Sequence, residues 1–320
     1  MISTLATTFW GTAIPIAGIF LVMLVAGILV RRRVITQDQI SGLSTATVTI
    51  FLPCFIFAKV VQTFDPSRFP LWWMLPISGI AMALTGIAVG AVAFARKLPA
   101  RWDMTAVAGV QNAGYLVLPI GLALFPNRFD EFALYVFLFI LGYNPVLWSL
   151  GKILVSGRRR EQPLWRALLT PPVVANFAAV FVVLVAGTGS VPEVLLAPID
   201  LLGSAAVPVA TLVLGAVLGS IKVRFRVHLA DALRAAAVKL LVLPMLVITI
   251  VKLLDLHGVN PLLAEFFVIE AAAAPAVALV LQVRTYGGDE QRVGTAMFLS
   301  YLACMITLPA WVAVWRLLVG

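Results

Sequence analysis

Charge is scarce in this chain. Its 23 lysines and arginines and 14 aspartates and glutamates make up 12 % of 320 residues, against 62 % hydrophobic residues. The mean hydropathy is +1.06. A large soluble core absorbs some apolar runs but not nearly a whole sequence of this kind, so a soluble globular protein is excluded. Cysteine and histidine are rarer still, with two of each. Cys54 and Cys304 fall in apolar runs and are expected as packing residues rather than a disulfide. His228 and His257 fall between runs and read as surface residues. These groups form no metal set or acid–base constellation, so an enzyme embedded in the membrane is set aside and no cofactor is expected. The phosphate-binding pattern G-x-x-x-x-G-K-[ST] and the dinucleotide pattern G-x-G-x-x-G are both missing. No polar stretch is long enough for a soluble domain, so coupling to ATP hydrolysis requires another polypeptide.

What the chain does have is apolar length. A bilayer core needs about 20 residues of helix. Ten runs meet that length, at roughly 9–30, 39–58, 70–94, 104–126, 132–154, 165–187, 195–219, 231–251, 262–284 and 293–318. The stretch before the first run has no basic n-region, and the run is long enough to span, so it reads as a retained helix rather than a cleaved signal. The net charge of +9 sits in short clusters between runs, which is how cytoplasmic membrane loops look, and not in aromatic-interleaved patches. Nucleic acid is therefore not an expected partner; membrane lipid is.

The clusters alternate. Arg31 to Arg33; Arg96, Lys97 and Arg101; Lys152, Arg158 to Arg160 and Arg166; Lys222, Arg224, Arg226 and Arg234; and Arg284 with Arg292 occupy every second connection. That places 17 basic residues on one side, against 5 on the other (Lys59, Arg68, Arg128, Lys252 and Arg316). The bias puts the basic loops in the cytoplasm and both termini outside. The expected fold is all-α and polytopic, with ten transmembrane helices as two inverted five-helix repeats. The first repeat takes residues 1–154, a short cytoplasmic linker 155–164, and the second repeat 165–320. Five helices per half force the second half to enter the membrane the other way round.

Two runs are interrupted. Gly109-Val-Gln-Asn-Ala-Gly-Tyr-Leu-Val-Leu-Pro-Ile-Gly121 carries an amide pair, three glycines and a proline within the fourth run. Ile269-Glu-Ala-Ala-Ala-Ala-Pro275 lies in the corresponding ninth. Helix-breaking residues at membrane depth are tolerated only inside protein or beside a cavity, and a pair of such segments points to a transporter's binding site. The expectation is that helices 4 and 9 are broken and cross. Gln111, Asn112, Gly114, Tyr115, Pro119, Asn144, Ala274 and Pro275 are the candidate substrate-binding residues. Freed backbone groups and the Asn112 amide form a polar cup, Gly114 permits close backbone approach, and the small residues before Pro275 let two helices meet. A restarted helix presents a positive end, which suits a carboxylate. The alternative is a pair of ordinary kinked packing helices.

Glu270 is the one acid deep in a run. It must be paired, protonated or beside water. It is the candidate proton-coupling residue; the other readings are a structural pair with Lys239, the basic residue well inside the eighth run, and hydration near the outer boundary. Asn144 and Asn176 read chiefly as interhelical hydrogen-bonding residues, with cavity lining as the alternative. Trp10, Trp72, Trp73, Trp102, Trp165, Trp311 and Trp315 sit near run ends, as interfacial anchors do.

Several ordered segments resemble the auxin efflux carrier family, in its bacterial ten-helix permease branch. They are Pro15 to Gly27 with Arg31 to Arg33, Leu43 to Phe57 with Pro53, Asn112-Ala-Gly-Tyr-Leu-Val-Leu-Pro119, Leu202 to Gly215, and Ala271-Ala-Ala-Ala-Pro275 with Gln282 and Tyr286-Gly287. The resemblance spans essentially the full chain. It implies two inverted five-helix repeats whose broken fourth and ninth helices cross, with Asn112 and Pro119 on one side and Pro275 on the other. It also implies transport of a small organic anion. Glu270 departs from the neutral residue expected there. The function expected is secondary active transport of a small carboxylate across the cytoplasmic membrane by alternating access. Protons are the expected coupling ion, Na⁺ the alternative, and a homodimer the assembly held open. A structural membrane protein is the reading from a different class.

Overall fold

The computed structural model describes residues 2–157 and 169–320. The linker expected at 155–164, Trp165, Arg166 and the start of the sixth run thus fall wholly or largely outside the described residues. Seven helices are long and apolar enough to cross a membrane among those residues. They are α1 (Ile2–Arg31), α2 (Gln37–Thr63), α3 (Met74–Ala93), α6 (Pro126–Ser156), α8 (Glu193–Ser220), α9 (Arg226–Leu253) and α12 (Glu290–Val319). Between them lie four pieces of eight to twelve residues: α4 (Trp102–Gly109), α5 (Val117–Leu124), α10 (Pro261–Ala272) and α11 (Ala278–Tyr286). α7 (Pro171–Ala186) is a 16-residue apolar helix.

The fold is thus an all-α polytopic membrane protein with seven candidate spans, which corrects the expected ten helices in two inverted five-helix repeats. Hydropathy counts residues, not unbroken helix. The fourth run becomes α4 and α5, separated by Val110 to Leu116, and the ninth becomes α10 and α11, separated by Ala273 to Val277. At about 1.5 Å per residue, none of these four pieces spans alone. The described part of the sixth run starts as helix only at Pro171.

Proline shapes the long helices too. A proline lacks the N–H that would bond the carbonyl four residues back. Turns of π-helix occupy Thr47–Phe51 just before Pro53, Leu147–Gly151 just after Pro145, and Val238–Val242 just before Pro244. The carbonyl of Leu240, four residues before Pro244, accepts instead from the Trp311 indole at 2.7 Å. Trp311 is therefore a packing residue bonded to α9, and Trp315 is buried, so these two are not the interfacial anchors expected.

Small residues set the closest helix contacts. Gly27 of α1 faces Gly215 and Gly219 of α8, and Gly142 of α6 lies against the Pro76 backbone of α3, where a Cβ would overlap main-chain atoms. α1 and α12 run antiparallel: the Thr12 hydroxyl reaches the Pro309 carbonyl at 3.4 Å, and Arg31 lies over the Phe298 ring. Both chain termini therefore lie at one end of the bundle. The other end carries the basic clusters. Arg292 pairs with Asp103 at 2.6 Å, Lys97 and Arg101 pair with Asp231 at 2.5 and 2.6 Å, and Arg31 donates to the Gly219 carbonyl.

Candidate functional site

The two interruptions meet. Residues on either side of Gln111 and Pro275 leave the helix and run as two short antiparallel extended segments joined at a single bridge. The Asn112 N–H donates to the Ala274 carbonyl at 2.8 Å, and the Ala276 N–H donates to the Val110 carbonyl at 2.9 Å. Pairing through the backbone explains how unwound chain survives at this depth: groups that the broken helices leave unbonded satisfy one another. Pro275 supplies no N–H, and the antiparallel register needs none from it.

Side chains complete the crossing. The Asn112 amide donates to the Tyr301 hydroxyl at 2.6 Å, and that hydroxyl donates to the Pro275 carbonyl at 3.2 Å. Tyr301, on α12, therefore ties both interruptions together. The Tyr143 hydroxyl donates to the Gln111 carbonyl from α6. The Gln111 side-chain NH₂ lies 3.1 Å from the Met82 sulfur, while its Oε1 is buried without a hydrogen-bond partner among the described residues. α5 and α11 both start at the crossing, at Val117 and Ala278. Their first turns bring the positive ends of two helix dipoles to it, although the Leu118, Leu279 and Val280 N–H groups are already bonded to the Gly114, Ala276 and Val277 carbonyls.

A cavity approaches from each end of the bundle. One, of 240 Å³, is lined by Ser44 of α2, Asn144 and Trp148 of α6, Thr170, and the crossing residues Gln111 to Tyr115 and Ala276 to Ala278. It lies toward the basic end. The other, of 490 Å³, runs from Arg68 and Asn260, at the end holding the termini, past Ser78, Met82 and Phe267 to Gln111, Lys239 and Ala271. Gln111 lines both. The crossing is thus the partition between two opposed vestibules.

The expected site residues divide accordingly. Gln111, Asn112, Gly114, Tyr115 and Asn144 come together around the smaller cavity. Ala274 and Pro275 build the crossing itself and line neither cavity. Pro119 is buried in α5 and lines neither. Gly114 makes no close backbone contact: a Cβ added there would meet open space, so its smallness keeps the cavity clear rather than admitting a neighbour. Asn176 donates to the Phe137 carbonyl at 2.6 Å and stays out of the cavities.

Glu270 ends fully buried beside the crossing. Lys239 and the Gln111 amide are its electrostatic neighbours, yet neither carboxylate oxygen has a hydrogen-bond partner within hydrogen-bonding distance among the described residues. The Lys239 ammonium donates to the Ala271 carbonyl at 2.7 Å. Tyr301 escaped the sequence reading because nothing local distinguishes a tyrosine within a long apolar helix; only its two partners do. Among the described residues, no group of three or more His, Cys, Asp or Glu side chains could hold a metal ion.

A multi-pass all-α fold with two interrupted helices crossing between opposed cavities defines a class, the polytopic membrane transport proteins. The chain belongs to the membrane transport protein family, that of the auxin efflux carriers, whose model matches residues 12–164 and 158–312. It is also similar to a protein described as an uncharacterized transporter from Methanothermobacter thermautotrophicus. The two are 26 % identical over 313 residues, covering 95 % of this chain and 98 % of that relative.

Proposed function

We propose that this protein carries a small organic carboxylate across the cytoplasmic membrane by alternating access, with protons as the coupling ion. The observation that carries the reading is the pair of opposed cavities, both of which reach Gln111 at the crossing. A kinked structural helix has no need of water-sized space on both sides of its break. The chemistry of the crossing supports an anion. The positive ends of two helix dipoles meet there, and the Asn112 NH₂ keeps a second N–H beyond the one given to Tyr301, from which a carboxylate oxygen accepts. Both cavities have the size of small-molecule sites, which run from about 300 Å³ upward, or just below it. Substrate enters one cavity, contacts the crossing, and leaves by the other once the helices carrying the interruptions shift against the rest. The basic end faces the cytoplasm in this scheme, with both termini outside, as the charge bias requires.

Sealed proteoliposomes test the reading. A panel of small mono- and dicarboxylates is offered while pH and Na⁺ are varied separately. Saturable flux that follows the imposed proton gradient and ignores Na⁺ is the expected result. Saturable flux that follows Na⁺ instead replaces the coupling ion, and absence of saturable flux with every anion overturns the transport assignment.

A further inference from the structure

The larger cavity ends on an arrangement that the crossing does not need for its own stability. Its walls are apolar, formed by Leu75, Met82, Leu243, Leu263 and Phe267 among others, and its inner end holds Lys239 and Gln111. Lys239 is the cation there, 1 % exposed, and its ammonium carries three donors of which the Ala271 carbonyl takes one. Near it are two acceptor groups that have no partner within hydrogen-bonding distance among the described residues: Gln111 Oε1 and the Glu270 carboxylate, whose polar neighbours are Lys239 and the Gln111 side chain. A buried ionised carboxylate without hydrogen bonds is costly, and so is a buried ammonium without an anion. Lys239 and Glu270 interact without closing into a hydrogen-bonded bridge, which leaves Lys239 able to take a better partner.

We infer that the 490 Å³ cavity is a carboxylate station, in which Lys239 Nζ receives the anion while Glu270 takes up a proton. The inference rests on the transport reading above for its anion, and adds to it the residue that binds and the step that couples. In the empty station Lys239 is positive and Glu270 negative, so the site is neutral. When a carboxylate arrives from the cavity, Lys239 pairs with it, and Glu270 would be left as a second anion in a low-dielectric pocket. One proton drawn from the buffered solution forms an O–H bond on the Glu270 carboxylate, its buffer donor being left as the conjugate base, and the filled site is neutral again. One proton thus travels with one carboxylate. Protonated Glu270 becomes a donor, and Gln111 Oε1 beside it is an unfilled acceptor.

The titratable groups around the pair are Lys239 from α9, Tyr143 from α6, and Tyr301 and Cys304 from α12. Tyr143 and Tyr301 are already committed as donors to the crossing carbonyls, and Cys304 lies 3.6 Å from the Ala272 carbonyl. Glu270 is the group among them whose oxygens have no partner within hydrogen-bonding distance among the described residues. The apolar walls also bear on the ligand: with one cation at the end of an apolar chamber, the station favours a monocarboxylate with an apolar body over a compact dianion.

Calorimetric titration of the detergent-purified protein tests this, with phenylacetate as the monocarboxylate and malonate as the dianion. Heats measured near neutral pH in two buffers of different ionisation enthalpy give the protons taken up per anion. The unsubstituted protein is expected to bind phenylacetate more tightly than malonate, with uptake of about one proton per anion. Lys239→Gln is expected to weaken phenylacetate on the order of tenfold or more, as loss of a buried charge partner does, and Glu270→Gln to abolish the proton uptake. If Lys239→Gln does not assemble, the charge-neutral double variant Lys239→Gln/Glu270→Gln is titrated in its place and the same loss of affinity is expected. Unchanged affinity in either Lys239 variant, or proton uptake that survives Glu270→Gln, overturns the inference, as does no phenylacetate binding at all. Binding that behaves as described, in a protein that shows no flux, sinks transport and leaves the station standing. Flux with an indifferent Lys239 sinks the station alone.

Discussion

At Asn112 the backbone N–H and the side-chain amide go to different partners, Ala274 and Tyr301. The first bond holds the two interruptions in register. The second reaches a hydroxyl that also donates to Pro275. Among the described residues, Tyr301 is consequently the side chain bonded to both broken segments through one atom. Tyr301→Phe keeps the ring and removes that atom, leaving the Asn112 NH₂ and the Pro275 carbonyl without it in a buried site. A loss of about 1–3 kcal/mol is expected, the usual cost of orphaning buried polar groups. Thermal unfolding of the purified variant checks it, and a midpoint equal to that of the original protein contradicts the role. At the same scale, Trp311→Phe strips the donor from the Leu240 carbonyl that Pro244 leaves open. Its expected destabilisation is about 1–3 kcal/mol, read in the same way.

Helices here are decided as much by where they stop as by what they bury. Pro119, Pro275 and the Gly109–Gly121 composition made the two interruptions legible, because proline and glycine act on the backbone locally. Their pairing was not legible. A bridge between Gln111 and Pro275 joins residues more than a hundred and sixty positions apart, and no local pattern encodes a partner at that distance. The number of spans failed for a related reason: α4 with α5, and α10 with α11, keep the hydropathy of one long helix after losing its continuity. Lys239 was conspicuous as a cation in an apolar run, but the cavity that it reaches is made by α3, α9 and α10 together. Contacts between long helices follow the same local logic as the breaks. Gly142→Leu places a branched side chain where even a Cβ overlaps the Pro76 backbone. It is expected to cost at least about 1–3 kcal/mol and to lower the yield of folded protein on gel filtration; a normal elution profile and melting point count against close α3–α6 packing.

Across the whole molecule, charge and space are both polarised. Arg31, Lys97, Arg101 and Arg292 gather at one end, while both termini and the Arg316–Glu265 pair lie at the other. One cavity opens toward each end, with the crossing as the wall between them. Single cysteines placed at Ser78 in the larger cavity and at Asn144 in the smaller one, in a background without Cys54 and Cys304, should meet a membrane-impermeant maleimide from opposite faces. Ser78→Cys is expected to label from outside and Asn144→Cys from the cytoplasmic side. Labelling of both from one face breaks the partition.

In the proposed cycle substrate passes at the crossing and is held there by Asn112. Half-saturation of carboxylate counterflow in proteoliposomes, compared between the original protein and Asn112→Ala, tests it most directly. The substituted protein is expected to need about tenfold more substrate, the effect of one lost hydrogen bond to a charged group, while its gel-filtration profile is retained. An unchanged half-saturation, or a loss of flux matched by an equal loss of folded protein, would contradict it.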